Sequence, residues 1–77
     1  MTLTPTQRTV LLAITYERQR QGWPPILRDL LQPTGLRSTN SVAHQLERLR
    51  DMGLVDWVPN ASRTLHLTAA GKEVLAL

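Results

Sequence analysis

The chain has no cysteine. No disulfide can staple it and no thiolate can hold a metal. No apolar run approaches the ~20 residues that cross a bilayer. The opening, MTLTPTQRTV, lacks the basic-then-apolar order of a secretory signal. Acid is scarce: six Asp and Glu stand against nine Lys and Arg, a net charge of +3. Catalytic groupings are missing as well. There is no H-x-x-x-H, no C-x-x-C and no Gly-rich phosphate loop. The two histidines, His44 and His66, fall on different predicted elements, and no nucleophile, base and orienting acid can be assembled. The expectation is therefore not an enzyme, with no metal, no cofactor, no evident small-molecule ligand and no membrane partner. The default location is cytoplasmic. At 77 residues the chain is one domain, 1–77, with a limited core.

The charge that is present is unevenly placed. Eight of the nine basic residues are Arg, the side chain suited to bidentate phosphate and guanine contacts. No acid lies between Leu30 and Leu46, nor between Trp57 and Lys72. Arg37, His44, Arg63, His66 and Lys72 fall inside these two windows. A face built from both windows would be positive.

Periodicity divides the chain into elements. Thr4, Pro5 and Gln7 form a helix start, with a T-x-x-Q capping box and proline in the first turn. Val10, Leu11 and Ile14 give this first helix, about Pro5 to Gln21, an inward stripe, with Leu12 and Tyr16 on another flank. Gly22 can close it in the left-handed conformation. The prolines of WPP force an extended connection, and Trp23 is expected to plug the core there. ILRDLLQ then reads as a short helix with Ile26, Leu27, Leu30 and Leu31 inward, ended by Pro33. Gly35 supplies a sharp turn. Ser38 or Thr39 caps a third helix, about 39–52, whose Val42, Leu46 and Leu49 form one buried side. Asn40, His44 and Arg48 lie opposite, with Ser41 beside them.

After Gly53 the period becomes two. LVDWV (Leu54–Val58) and RTLHL (Arg63–Leu67) read as paired strands around the turn residues PNAS, a hairpin over 54–67. Val55, Trp57, Leu65 and Leu67 are expected inward, and Asp56, Thr64 and His66 outward. TAAGKEVLAL closes with a short helix capped by Thr68, in which Gly71 costs ~1 kcal/mol relative to Ala.

Two helices joined by a short Gly-containing turn make a helix-turn-helix, whose second helix enters the DNA major groove. A hairpin directly after it is a wing. The fold class is thus mainly α with a small β-hairpin: a winged helix-turn-helix. The stretch LRSTNSVAHQLERL fits that role. Ser, Thr and Asn at the start of the third helix can meet base edges and phosphates, and no acid intervenes before Glu47.

RSTN opening the third helix, PP before the second, LRDMGLV leaving the third and ASR in the hairpin turn resemble the N-terminal winged-helix domain of LexA, the SOS repressor. The resemblance runs from about Leu3 to Leu67. It implies base and phosphate contacts from Ser38, Asn40, Ser41, Ala43 and His44, and a wing contact from Arg63. Ala43 and His44 stand where LexA proteins often carry two adjacent Glu that help read the operator, so a different operator is expected. The Ser/Lys self-cleaving domain of LexA does not fit within 77 residues, so neither self-cleavage nor the dimerisation that domain provides is expected unless the chain is a fragment of a longer protein. The ending LTAAGKEVL looks more like that of other small winged-helix regulators, where a last helix helps dimerise.

The candidate DNA-binding residues are Arg37, Ser38, Thr39, Asn40, Ser41, His44, Arg48 and Arg63. Each has a plainer role: Asn40 and Ser41 as cap residues, His44 as a solvated side chain, Arg48 as the partner of Asp51. Arg63 has less structural work to do at a hairpin tip. Arg28 is a weaker candidate because Asp29 adjoins it. Trp23 and Trp57 are assigned to the core. The function expected is sequence-specific duplex binding, as a transcriptional repressor. Alternatives are a protein-interaction module or an accessory factor that binds duplex without regulating a promoter. A homodimer would use Val74, Leu75 and Leu77 with Leu12 and Tyr16; otherwise the tail folds back on the first helix and completes a monomer core.

Overall fold

The computed structural model describes residues 2–76. Helix α1, Pro5–Gln21, starts at the expected capping box. The Gln7 N–H donates to Thr4 Oγ1 at 3.1 Å, and the Thr4 N–H donates to Gln7 Oε1 at 3.0 Å. It ends at Gly22, whose φ of 85° lets its N–H reach the Arg18 carbonyl at 3.0 Å. Val10, Leu11, Ala13 and Ile14 are buried, so this helix is the floor of the core.

The turn after α1 differs from expectation. Pro25, fully buried, plugs the corner, while Trp23 stands 52% exposed on the surface. The next segment is a 3-10 turn, Leu27–Leu30, running into α2, Leu31–Thr34. Pro33 lies inside this last turn instead of ending the helix. Its ring offers no N–H and crowds the carbonyl four residues back. Tighter 3-10 winding over Leu27–Leu30 accommodates it. The stop is Gly35, with φ 74° and its N–H on the Leu31 carbonyl.

Helix α3, Thr39–Asp51, is capped by Ser38, whose Oγ accepts the Ser41 N–H at 3.2 Å. Val42, Leu46 and Leu49 are buried as their spacing predicts. Gly53, at φ 78°, turns the chain into the hairpin. There the paired strands are only β1, Val55–Asp56, and β2, His66–Leu67, antiparallel with Val55 opposite Leu67. The five-residue strands expected are cut short by a side chain. The Val58 N–H donates to Thr64 Oγ1 at 2.9 Å, replacing a ladder bond, and Asn60 and Arg63 take left-handed φ of 63° and 58°. The alternation survives: Val55, Leu65 and Leu67 are buried, Asp56 and His66 exposed, Trp57 half-buried.

Helix α4, Ala69–Ala76, follows Thr68, whose hydroxyl accepts the Gly71 N–H at 3.1 Å and donates to the Gly53 carbonyl at 2.6 Å. Gly71 is more than a weak helix former. A Cβ there would overlap the Leu54 carbonyl oxygen, so glycine is what allows α4 to cross the hairpin base. Val74 and Leu75 pack half-buried against the core, the second of the two arrangements considered for the tail; Leu77 lies outside the described residues. The architecture is a winged helix-turn-helix. No described helix is long and apolar enough to cross a membrane.

Candidate nucleic-acid interface

Burying Val42, Leu46 and Leu49 leaves the opposite side of α3 to solvent. Arg37, Ser38, Thr39, Asn40, Ser41, His44 and Arg48 are all exposed. The Ser38 and Ser41 hydroxyls lie 3.1 Å apart, so Ser41 braces the Ser38 cap. One turn further on, Arg48 Nε donates to His44 Nε2 at 3.2 Å. Arg48 therefore pairs with His44 and not with Asp51. Arg37 and Arg48 form no ion pair among the described residues. The start of the helix offers hydroxyls, an amide and the Arg37 guanidinium, with no acid in its first turn.

The wing lies across a groove from this helix. Pro25, Ile26 and Leu27 form its floor, Ala43 and Glu47 one wall, and the segment from Trp57 to Leu65 the other. Parts of the two acid-free windows meet here, with Glu47 as the acid at the border. Lys72 sits apart, on α4. His66 is held locally, Nδ1 lying 2.8 Å from the Thr64 carbonyl oxygen.

Arg63, exposed at the wing tip, is more engaged than a tip residue was expected to be. Its Nη1 donates to the Pro24 carbonyl at 3.1 Å and lies 3.6 Å from Asp29 Oδ2. Its guanidinium carbon stands 5.8 Å from the centre of the Trp23 ring. The exposed Trp23 is thus a platform under the wing, not a core plug.

Sequence reasoning missed a second fastening. Arg50 Nε donates to Asp56 Oδ1 at 2.9 Å, its Nη2 donates to the Trp57 carbonyl at 3.2 Å, and its guanidinium lies 4.4 Å from the Trp57 ring centre. This ties the end of α3 to β1. The Trp57 N–H, then Arg50, hold the Asp56 carboxyl below the ordinary carboxylate range. No spacing rule announces the pairing, because its partners are brought together by the Gly53 turn.

Comparison with known proteins agrees with this architecture. The family model of the LexA DNA binding domain matches residues 1–64. A LexA repressor of Frankia alni is 45% identical over 65 residues, covering 84% of this chain and 26% of the relative. One from Acidothermus cellulolyticus is 40% identical over 72 residues, covering 94% and 26%. One from Mycobacterium leprae is 39% identical over 79 residues, covering 95% and 34%. The chain thus spans between a quarter and about a third of the length of these curated relatives. A solved structure concerned with the regulation of DNA binding of Bordetella bronchiseptica BpsR by 6-hydroxynicotinic acid superposes with a TM-score of 0.73 at 26% identity, over 97% of this chain and 51% of that one. With the family match covering most of its length, and a capped third helix with no acid in its first turn beside a short wing, this chain belongs to the family of LexA DNA-binding domains.

Proposed function

We propose that this domain binds double-stranded DNA at a preferred sequence and acts in the cytoplasm, at the nucleoid, as a transcriptional repressor. Helix α3 enters the major groove and the wing rides the backbone. The observation that carries the reading is the exposed, acid-free start of α3. Asn40 reads a base edge, as an amide can do bidentately to adenine, with Ser41 and His44 beside it. Arg37, Ser38, Thr39 and Arg48 take phosphates on either side, and Arg63 takes one from the wing. The repressor role draws on the names of the relatives. The domain works by binding, with no catalysis, cofactor or metal in the reading.

One winged helix covers a short site, and a single module buries only ~600–1,000 Å² on DNA. Specificity would gain from a two-fold dimer on an inverted repeat. Because Val74 and Leu75 are half-buried on the core, the apolar surface left for that contact includes Leu12 and Tyr16, 49% and 57% exposed.

The test is selection of bound duplexes from a random pool, followed by affinity measurements across salt on the selected site. A consensus should emerge, and log affinity should fall linearly with log salt as counterions are released. A pool that yields no consensus but a steep salt slope would favour an accessory factor. A slope near zero would favour a protein-interaction module.

A further inference from the structure

Asp29 is an acid on a surface assigned here to DNA. It sits in the 3-10 turn that begins the first helix of the helix-turn-helix. Its Oδ2 accepts the Ile26 N–H at 3.0 Å and Gln21 Nε2 at 3.3 Å, and lies 3.6 Å from Arg63 Nη1. Gln21 and Arg63 also share the Pro24 carbonyl, at 3.4 and 3.1 Å. The end of α1, the proline turn, the start of the next helix and the wing tip therefore converge on one carboxylate and one guanidinium.

The geometry uses only one edge of Arg63. A guanidinium has five N–H donors in a plane. Nη1 faces the protein, whereas Nε and Nη2 form no hydrogen bond among the described residues, and the side chain is 43% exposed. The backbone at Arg63 is left-handed, φ 58°, a conformation that glycine would adopt at less cost. The position holds an arginine despite that cost. The ladder below the wing is two residue pairs long, so it fixes the tip weakly. The first helix of a helix-turn-helix crosses the DNA backbone, and Arg63 lies against the start of that helix.

We propose that Asp29 is a positioning residue for DNA binding: it grips the inner edge of Arg63 and so presents Nε and Nη2 to a backbone phosphate. The proposal rests on the duplex-binding reading above. The Ile26 N–H, then Gln21 and Arg63, hold the Asp29 carboxyl below the ordinary carboxylate range, so it carries its charge at neutral pH. On charge alone Asp29 opposes DNA and its removal should tighten binding. As a positioning group it assists DNA, and its removal should weaken binding. The two roles have opposite signs.

The experiment compares wild type, Asp29→Asn, Arg63→Ala and the double variant on one duplex across salt, at a temperature where all are folded. Asparagine keeps a carbonyl oxygen for the Ile26 N–H. Asp29→Asn should weaken binding about fivefold, the weight of one exposed charge contact. It should also lower the salt slope by close to one phosphate. In the Arg63→Ala background it should change neither. Arg63→Lys, should Asp29→Asn fail to fold, keeps the charge but loses the planar fork that can serve carboxylate and phosphate together, and should also lower the slope. Tighter or unchanged binding by Asp29→Asn, an equal loss in the Arg63→Ala background, or an Arg63→Lys variant equal to wild type overturns the proposal. A wild type whose affinity ignores salt overturns instead the duplex reading beneath it.

Discussion

Helix α3 and the tip of the wing border the same groove, yet they are held in place by different physics. Helix α3 is fixed by its back. Val42, Leu46 and Leu49 are buried in the core, and thirteen residues of helical hydrogen bonding carry that registry to the exposed face. The wing is fixed by side chains. Its ladder ends after two residue pairs, and beyond that it depends on Thr64, on Arg63 against Asp29 and Trp23, and at its base on Arg50 against Asp56 and Trp57. The comparison teaches a division of labour. The element proposed to read bases has a fixed shape, while the element proposed to touch the backbone is set by a few polar contacts and can adjust.

The sharpest way to break the comparison is from the core side. Leu49→Ala removes a fully buried side chain beneath α3 and should cost 2–5 kcal/mol, as large-to-small core changes do. In a domain this small such a loss is a large part of the total. Chemical denaturation should show the midpoint falling with cooperative unfolding retained. A cost near that of an exposed substitution would mean that α3 is not anchored by its back.

Asn40→Ala should leave the fold nearly untouched, because Ser38, not Asn40, makes the cap. Its effect belongs to binding: ~1–3 kcal/mol on the preferred duplex, with relaxed selectivity at one base position. Equal affinity of wild type and variant for preferred and scrambled sites would remove base reading from Asn40.

The same division decided what could be read from the sequence. The capping box at Thr4 and Gln7, the stops at Gly22 and Gly53, and the Val42–Leu46–Leu49 stripe are local codes written within a few residues of where they act, and each predicts its element. The exposed residues of α3 follow from the buried ones by rotation. The wing has no such code. Arg63 meets Pro24 across thirty-nine residues of sequence, and Asp29 at 3.6 Å is met only through the tertiary fold of the helix-turn-helix. Trp23 illustrates the same limit. Its size argues for the core, but the adjoining Pro25 fills the corner, and the indole is left to support a guanidinium. Gly71 is a weak helix former by local rules, and only the tertiary contact with the Leu54 carbonyl shows why it is needed.

Acid should act on the fastenings and spare α3. Glu17, Asp29 and Asp56 all have carboxyls held below the ordinary range: Glu17 chiefly by Arg20, Asp29 by the Ile26 N–H, Asp56 by the Trp57 N–H. None of the three lies on the exposed face of α3. A carboxyl with a depressed folded pKa adds stability that is fully present above its unfolded value. That stability is lost as pH falls through the folded value. Thermal midpoints should therefore be flat from pH 7 to about 5 and fall below about 4. Asp29→Asn should fall less steeply than wild type, since one titrating fastening is gone. Parallel curves for the two proteins would show that Asp29 adds nothing to the acid response.

The smallest expected change in stability comes from Arg63→Gly, and it separates the two regions most cleanly. Two terms oppose each other. Glycine relieves the left-handed backbone at φ 58°, worth roughly 1 kcal/mol. Against this, the variant loses the Pro24 hydrogen bond and an exposed ion pair, each worth up to ~1 kcal/mol, and frees the unfolded chain at one residue. The net should be within about 1 kcal/mol of zero, and thermal unfolding should barely register it. Asn60→Gly, the other left-handed position, is the control, with less backbone strain to relieve, since Asn tolerates this region, and no tether to lose. In binding the two should part. Arg63→Gly should lower affinity for every duplex alike and reduce the salt slope by about one, because a phosphate contact carries no sequence information. Asn60→Gly should leave the slope as it is. If Arg63→Gly instead changes which duplexes are selected, the wing reads sequence too, and the division between a reading helix and a riding wing does not hold.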